Sequence, residues 1–166
     1  ATAKDALATA MTVAKRIGKV GVVSGVCFGF IGNRMLEDYL EEVQAMMLEG
    51  ATAADIDGAL EAWGLAMGPN AMMDLAGIDV GYLVRQENKL SDERRRLYAA
   101  TDRIYALGRY GQKTGKGYYL YGADRKRTPD PEVEKIFAEE AGKLGIRSEE
   151  HTLNSSHGYI SYAVFC

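Results

Sequence analysis

The chain has 166 residues, with 20 Lys and Arg against 23 Asp and Glu, for a net charge of −3. Apolar residues make up 47% and charged residues 26%, the balance of an ordinary globular domain. A slightly acidic chain argues against a nucleic-acid-binding domain, and no apolar run reaches the roughly 18 residues that span a bilayer.

Residues 3–17 read as an amphipathic helix, because Ala6, Leu7, Ala10, Met11, Ala14 and Ile17 recur at steps of three and four. Gly18 ends it. The glycine-bounded run Lys19-Val20-Gly21-Val22-Val23 predicts a buried strand of the parallel-sheet kind. One helix and one strand cannot close a domain, so residues 1–25 are expected to be the end of an α/β domain. From Gly29 the pattern is helical. Phe30, Ile31, Met35, Leu36, Tyr39, Leu40, Val43, Met46 and Met47 form one long apolar stripe, stopped at Gly50. Thr52 and Asp55 make a capping box for the next helix, whose expected buried face is Ile56, Ala59, Leu60 and Trp63.

Met67-Gly68-Pro69 predicts a turn, with Pro69 opening a helix over about 70–75. A further helix carries Val80, Leu83 and Val84. Ser91 starts another, with Leu97, Ala100, Ile104 and Leu107 on its apolar side. Residues 108–117 are glycine-rich, residues 118–121 read as extended, and Pro129 and Pro131 lead into a last helix bearing Val133, Ile136, Phe137, Ala141 and Leu144. Residues 147–166 break the pattern and read as a non-native, adapter-like tail. The expected class is mainly α, with a helical body over 26–146.

Chemistry is constrained by what is missing. Residues 1–146 contain no His, only Ser24 and Ser91 as serines, and only Cys27 as a thiol; His151, His157 and Cys166 lie in the tail. Neither a Ser-His-Asp or Cys-His site nor a His-ligated metal site can be assembled from that inventory, so no metal is expected. The carboxylates, Glu37 and Glu41 among them, read as solvated helix faces. Gly111 to Gly117 misses P-loop spacing and reads as a turn with solvated Lys113 and Lys116; Gly25, Gly29 and Gly32 miss the dinucleotide-binding spacing. Asn33, early in the long helix, is a poor helix-interior residue and taken alone reads as a solvated or capping amide.

Taken together, Gly29-Phe30-Ile31-Gly32-Asn33-Arg34-Met35-Leu36, Asp55-Ile56-Asp57, Met67-Gly68-Pro69 with Asp74 to Asp79, and Arg109 to Tyr119 resemble, in order, the C-terminal helical domain of 3-hydroxyacyl-CoA dehydrogenases. Lys15 to Val23 resembles the last helix and strand of that family's NAD-binding Rossmann domain. The likeness is nearest to the multifunctional enzymes of fatty-acid β-oxidation; Phe28 departs from the family pattern, as does the tail. The resemblance implies an NAD-dependent oxidation of 3-hydroxyacyl-CoA to 3-oxoacyl-CoA, with NAD bound by another domain. It implies a catalytic role for Asn33, orienting the acyl group by its amide, while Asn33, Met67, Gly68 and Pro69 contact substrate.

The implied partners are an acyl-CoA substrate and a second helical domain in a homodimer or pseudo-dimer, with no nucleic acid and no membrane. Met35, Met46, Met47, Met72 and Met73 are candidates for that interface or for the core. Two other readings stand beside this one: a non-catalytic assembly and substrate-closing module, and a short-chain 3-hydroxybutyryl-CoA dehydrogenase. The expected compartment is the bacterial cytoplasm, or the peroxisome in a eukaryote.

Overall fold

The computed structural model describes residues 2–88 and 90–146, so the adapter-like reading of 147–166 lies outside the described residues. Two compact units divide the chain at Glu37 and Asp38.

In the first unit, helix α1 spans Lys4–Arg16. It ends as the glycine predicts: Gly18 takes a φ of 71°, while Lys19 N–H reaches Ala14 O at 2.9 Å and Gly18 N–H reaches Lys15 O at 3.1 Å. The strand expected over 19–23 does not form. Val20, Val22 and Val23 are exposed, because the described residues contain no neighbouring strand to satisfy that edge. Helix α2, Gly32–Leu48, begins in this unit after a turn through Phe30, whose φ is 50°.

The second unit holds the core. The last turns of α2 bury Val43, Gln44, Met47 and Leu48. Then come α3 (Ala53–Trp63), α4 (Pro69–Ala76), α5 (Ile78–Glu87), α6 (Asp92–Leu97), α7 (Ala99–Ala106) and α8 (Pro131–Leu144). A hairpin lies between α7 and α8: β1 (Tyr119–Tyr121) pairs antiparallel with β2 (Arg127–Pro129), Tyr119 opposite Pro129 and Tyr121 opposite Arg127. The mainly α class therefore holds. Ile56, Ile78, Ile104, Val133, Ile136 and Phe137 pack as one core with Tyr118 and Tyr119.

Three local expectations change. Trp63 is 63% exposed and Ala59 is also exposed; the buried face of α3 is Ala53, Ile56 and Asp57. Asp57 takes the place an apolar residue would fill, because it bonds α4. The single helix expected from Ser91 is two, broken at Tyr98, a 5% exposed ring whose backbone ends α6 and starts α7. Met47 and Met73 belong to the core, while Met35 is 71% exposed.

Candidate functional site

Asn33 stands in the first turn of α2, where its backbone N–H bonds Gly29 O at 3.1 Å. Gly29 lies close over that turn: at a φ of 70°, a Cβ there would sit 2.7 Å from Arg34 N and 3.1 Å from Asn33 Cβ. Glycine is needed for the chain to enter the helix this tightly. The Asn33 side chain is exposed and makes no hydrogen bond to a described residue. It is an amide held by its backbone, with donor and acceptor both open.

Met67, Gly68 and Pro69 belong to the second unit, and Asn33 to the first; each is described by itself. Gly68 and Pro69 are buried, while Met67 is 38% exposed. Gly68 N–H donates to Glu61 Oε1 at 2.8 Å, and a Cβ on Gly68 would overlap Asp57. Glu61 also receives Arg127 Nη2 on both oxygens, at 2.7 and 2.8 Å. The Arg127 hydrogen bonds hold the Glu61 carboxyl below its usual range. The turn is thus fastened to α3 and the hairpin, and only Met67 presents an open side chain.

Buried polar groups fix this scaffold, and sequence patterning missed them. Asp57, 0% exposed, accepts from Asn70 N and Ala71 N at 2.9 Å, so an α3 carboxylate caps α4. It also accepts from Tyr119 Oη at 2.9 Å. Asp74, 1% exposed, accepts Tyr118 N–H at 2.9 Å, Tyr119 N–H at 3.0 Å and Tyr121 Oη–H at 2.9 Å. Burial pushes its pKa up to about 6, against the lowering effect of those bonds. Gly111 and Gly117 are the glycines of the P-loop-like stretch. A Cβ on either would overlap Asp74: Gly117 makes room for its carboxylate and Gly111 for its backbone.

Arg109, 1% exposed, donates to Gly117 O through Nε at 3.1 Å and Nη2 at 2.8 Å, and pairs with Asp130 and Glu132. Gln44, Thr101 and Tyr118 close a buried ring. Gln44 Nε2 donates to Tyr118 Oη at 3.1 Å, and Thr101 Oγ donates to Gln44 Oε1 at 2.5 Å. Tyr118 Oη then gives its proton to Thr101 Oγ at 2.7 Å. Burial raises the Tyr118 hydroxyl to about 12, which keeps it a donor. Lys113, expected to be solvated, pairs with Asp79 at 2.5 Å, and Glu41 pairs with Arg94.

These groups lock loops. Among the described residues no three His, Cys, Asp or Glu converge as metal ligands. The described residues also do not fit a dinucleotide: the sheet is a two-stranded antiparallel pair, with no parallel-strand crevice opening onto a glycine turn. No helix of the described residues is long and apolar enough to cross a membrane.

Comparison with known proteins adds sequence context. The model of the 3-hydroxyacyl-CoA dehydrogenase C-terminal domain matches residues 29–121. The peroxisomal bifunctional enzyme of Danio rerio is 41% identical over 165 residues, covering 91% of this chain and 23% of its own length. The fatty acid oxidation complex subunit alpha of Pseudomonas syringae pv. tomato is 36% identical, covering 80% of this chain and 19% of its own. In structure, the dehydrogenase part of multifunctional enzyme 1 from C. elegans superposes with a TM-score of 0.66 at 33% identity, over 82% of this chain and 31% of that one. The chain thus spans less than a quarter of the length of these curated relatives.

Proposed function

The chain belongs to the 3-hydroxyacyl-CoA dehydrogenase family through that family's C-terminal domain, and on that premise we propose that it serves the oxidation of 3-hydroxyacyl-CoA to 3-oxoacyl-CoA in fatty-acid β-oxidation. Residues 26–146 are the helical domain, and residues 1–25 the end of a neighbouring Rossmann domain. NAD is the proposed hydride acceptor, held by residues other than those described. The observation that carries the reading is the family match over 29–121, which opens on the Gly29 turn that presents Asn33. Asn33 is the proposed catalytic residue. A neutral amide can donate N–H to a carbonyl or thioester oxygen as negative charge grows there, and its backbone anchor limits the reorganisation this needs. Met67 is the proposed acyl-facing side chain of its turn, with Gly68 and Pro69 setting its position.

The multifunctional type is favoured over a short-chain 3-hydroxybutyryl-CoA dehydrogenase. In the structural comparisons the multifunctional relative is 33% identical, whereas the (S)-3-hydroxybutyryl-CoA dehydrogenase of Ralstonia eutropha is 28% identical. The same kinship suggests a peroxisomal setting in a eukaryote and a cytoplasmic one in a bacterium. Titrating 3-hydroxybutyryl-CoA into the 15N-labelled chain tests the reading. The Asn33 side-chain amide resonances should shift saturably; resonances that stay still at millimolar ligand refute the contact.

A second reading, an assembly role through a homodimer or pseudo-dimer, has its own support. α5 exposes Val80 (50%), Leu83 (57%) and Val84 (40%) on one side. Exposed apolar stripes of this kind mark contact surfaces. Light scattering decides it: a dimer supports the role, and a monomer at high micromolar concentration removes it.

A further inference from the structure

A polar cleft of about 120 Å³ lies between α5, α6 and α7, lined by Arg85, Gln86, Leu90, Arg95, Tyr98 and Asp102. Its floor is a buried arginine. The Arg85 side chain is 10% exposed, its Nη2 pairs with Asp102, and its guanidinium lies 4.3 Å over the Tyr98 ring. Arg85 Nε is buried and has no acceptor among the described residues. A buried N–H without a partner is rare in folded proteins, and it marks a place where something else supplies the acceptor. Arg95 stands over the same cleft, exposed and with no ion pair to a described residue. Two guanidinium groups thus face one carboxylate, and that carboxylate is already bonded to Arg85.

We propose that this cleft binds a phosphoryl group, with the Arg85 and Arg95 guanidinium groups donating to its oxygens. Charge decides the sign of the ligand: the lining sums to one excess positive charge. Size decides its kind. The open space has room for a tetrahedral oxyanion or its diphosphate. Guanidinium is also the side chain whose forked donors best match phosphate oxygens. The site is independent of the dehydrogenase reading and stands if that reading fails.

Calorimetric titration of the 166-residue chain with pyrophosphate at constant ionic strength tests it, with inorganic phosphate and acetate as parallel probes. Saturable one-to-one binding of pyrophosphate but not of acetate is expected. Arg95→Ala, an exposed change that leaves folding intact, should weaken it about tenfold, the size of one lost charge-assisted hydrogen bond. Arg85→Lys keeps a cation for Asp102 but removes the guanidinium, and should weaken it comparably with an unchanged circular dichroism spectrum. If that variant does not fold, Arg95→Ala alone decides. Absence of saturable binding, equal binding of acetate, or indifference to Arg95→Ala overturns the site. Displacement of bound pyrophosphate by coenzyme A assigns the phosphoryl group to a coenzyme A ester; persistence of pyrophosphate assigns it to free phosphate.

Discussion

Asp57 Oδ1 accepts both hydrogen bonds that Asn70 donates, from the backbone N–H at 2.9 Å and from the side-chain amide at 3.0 Å. An aspartate of α3 therefore does for α4 what a side chain at its own N-cap does elsewhere, since the residue at that cap is Gly68. The arrangement explains the whole turn: Gly68 lacks a Cβ because Asp57 fills that space, and Pro69 has no N–H to satisfy. Asp57→Ala strands the amides of Asn70 and Ala71, while the Tyr119 hydroxyl keeps Ala53 O as acceptor, and should cost about 3 kcal/mol in urea unfolding. A loss below about 1 kcal/mol would show that water caps α4 equally well.

Gly111 and Gly142 are expected to respond oppositely to alanine. Gly111 has a φ of 96° and its missing Cβ makes room for the Asp74 backbone, so Gly111→Ala should destabilise by at least about 2 kcal/mol. Gly142 lies in α8 with open space around it, so Gly142→Ala should stabilise by about 0.5–1 kcal/mol. Thermal unfolding of the two variants checks the pair.

Asp74 has a pH signature. Its folded-state pKa, near 6, lies above the unfolded value, so the folded state holds the proton more tightly. The stabilisation from this group is complete below about pH 4 and is lost as pH rises through about 6. Other carboxylates work the opposite way: Glu61, lowered by Arg127, and Asp79, lowered by Lys113, lose their contribution in acid. Comparison with Asp74→Asn isolates the term. The stability advantage of the unaltered chain over that variant should grow on going from pH 7 to pH 4.5, measured by denaturant unfolding at each pH. A constant difference contradicts the raised pKa.

Much of the fold was legible because helix signals are local. Thr52 and Asp55 form the full capping box, and Gly18 and Gly50 end their helices at positive φ. The buried carboxylates were less legible, because patterning assigns Asp to solvent. Spacing held a clue at Asp57, which lies four residues after Ala53 and three before Leu60 on the inward side of α3. No comparable signal marks Asp74: its partners Tyr118, Tyr119 and Tyr121 are more than forty residues away in sequence. The break at Tyr98 and the hairpin's second strand likewise depend on packing and pairing that a local window does not contain. Asn33 was conspicuous as a residue, but its role came from the order of motifs around it.

The central claim concerns Asn33, and its most direct test is kinetic. In the protein that carries this sequence, kcat and KM for NAD-dependent oxidation of a 3-hydroxyacyl-CoA are to be compared before and after Asn33→Ala, alongside unfolding of both forms. An exposed amide without a described partner should change stability by less than about 0.5 kcal/mol. Loss of its hydrogen bond to developing charge should lower kcat/KM by about 10²-fold, mostly through kcat. Unaltered kcat and kcat/KM with a folded variant would contradict the account.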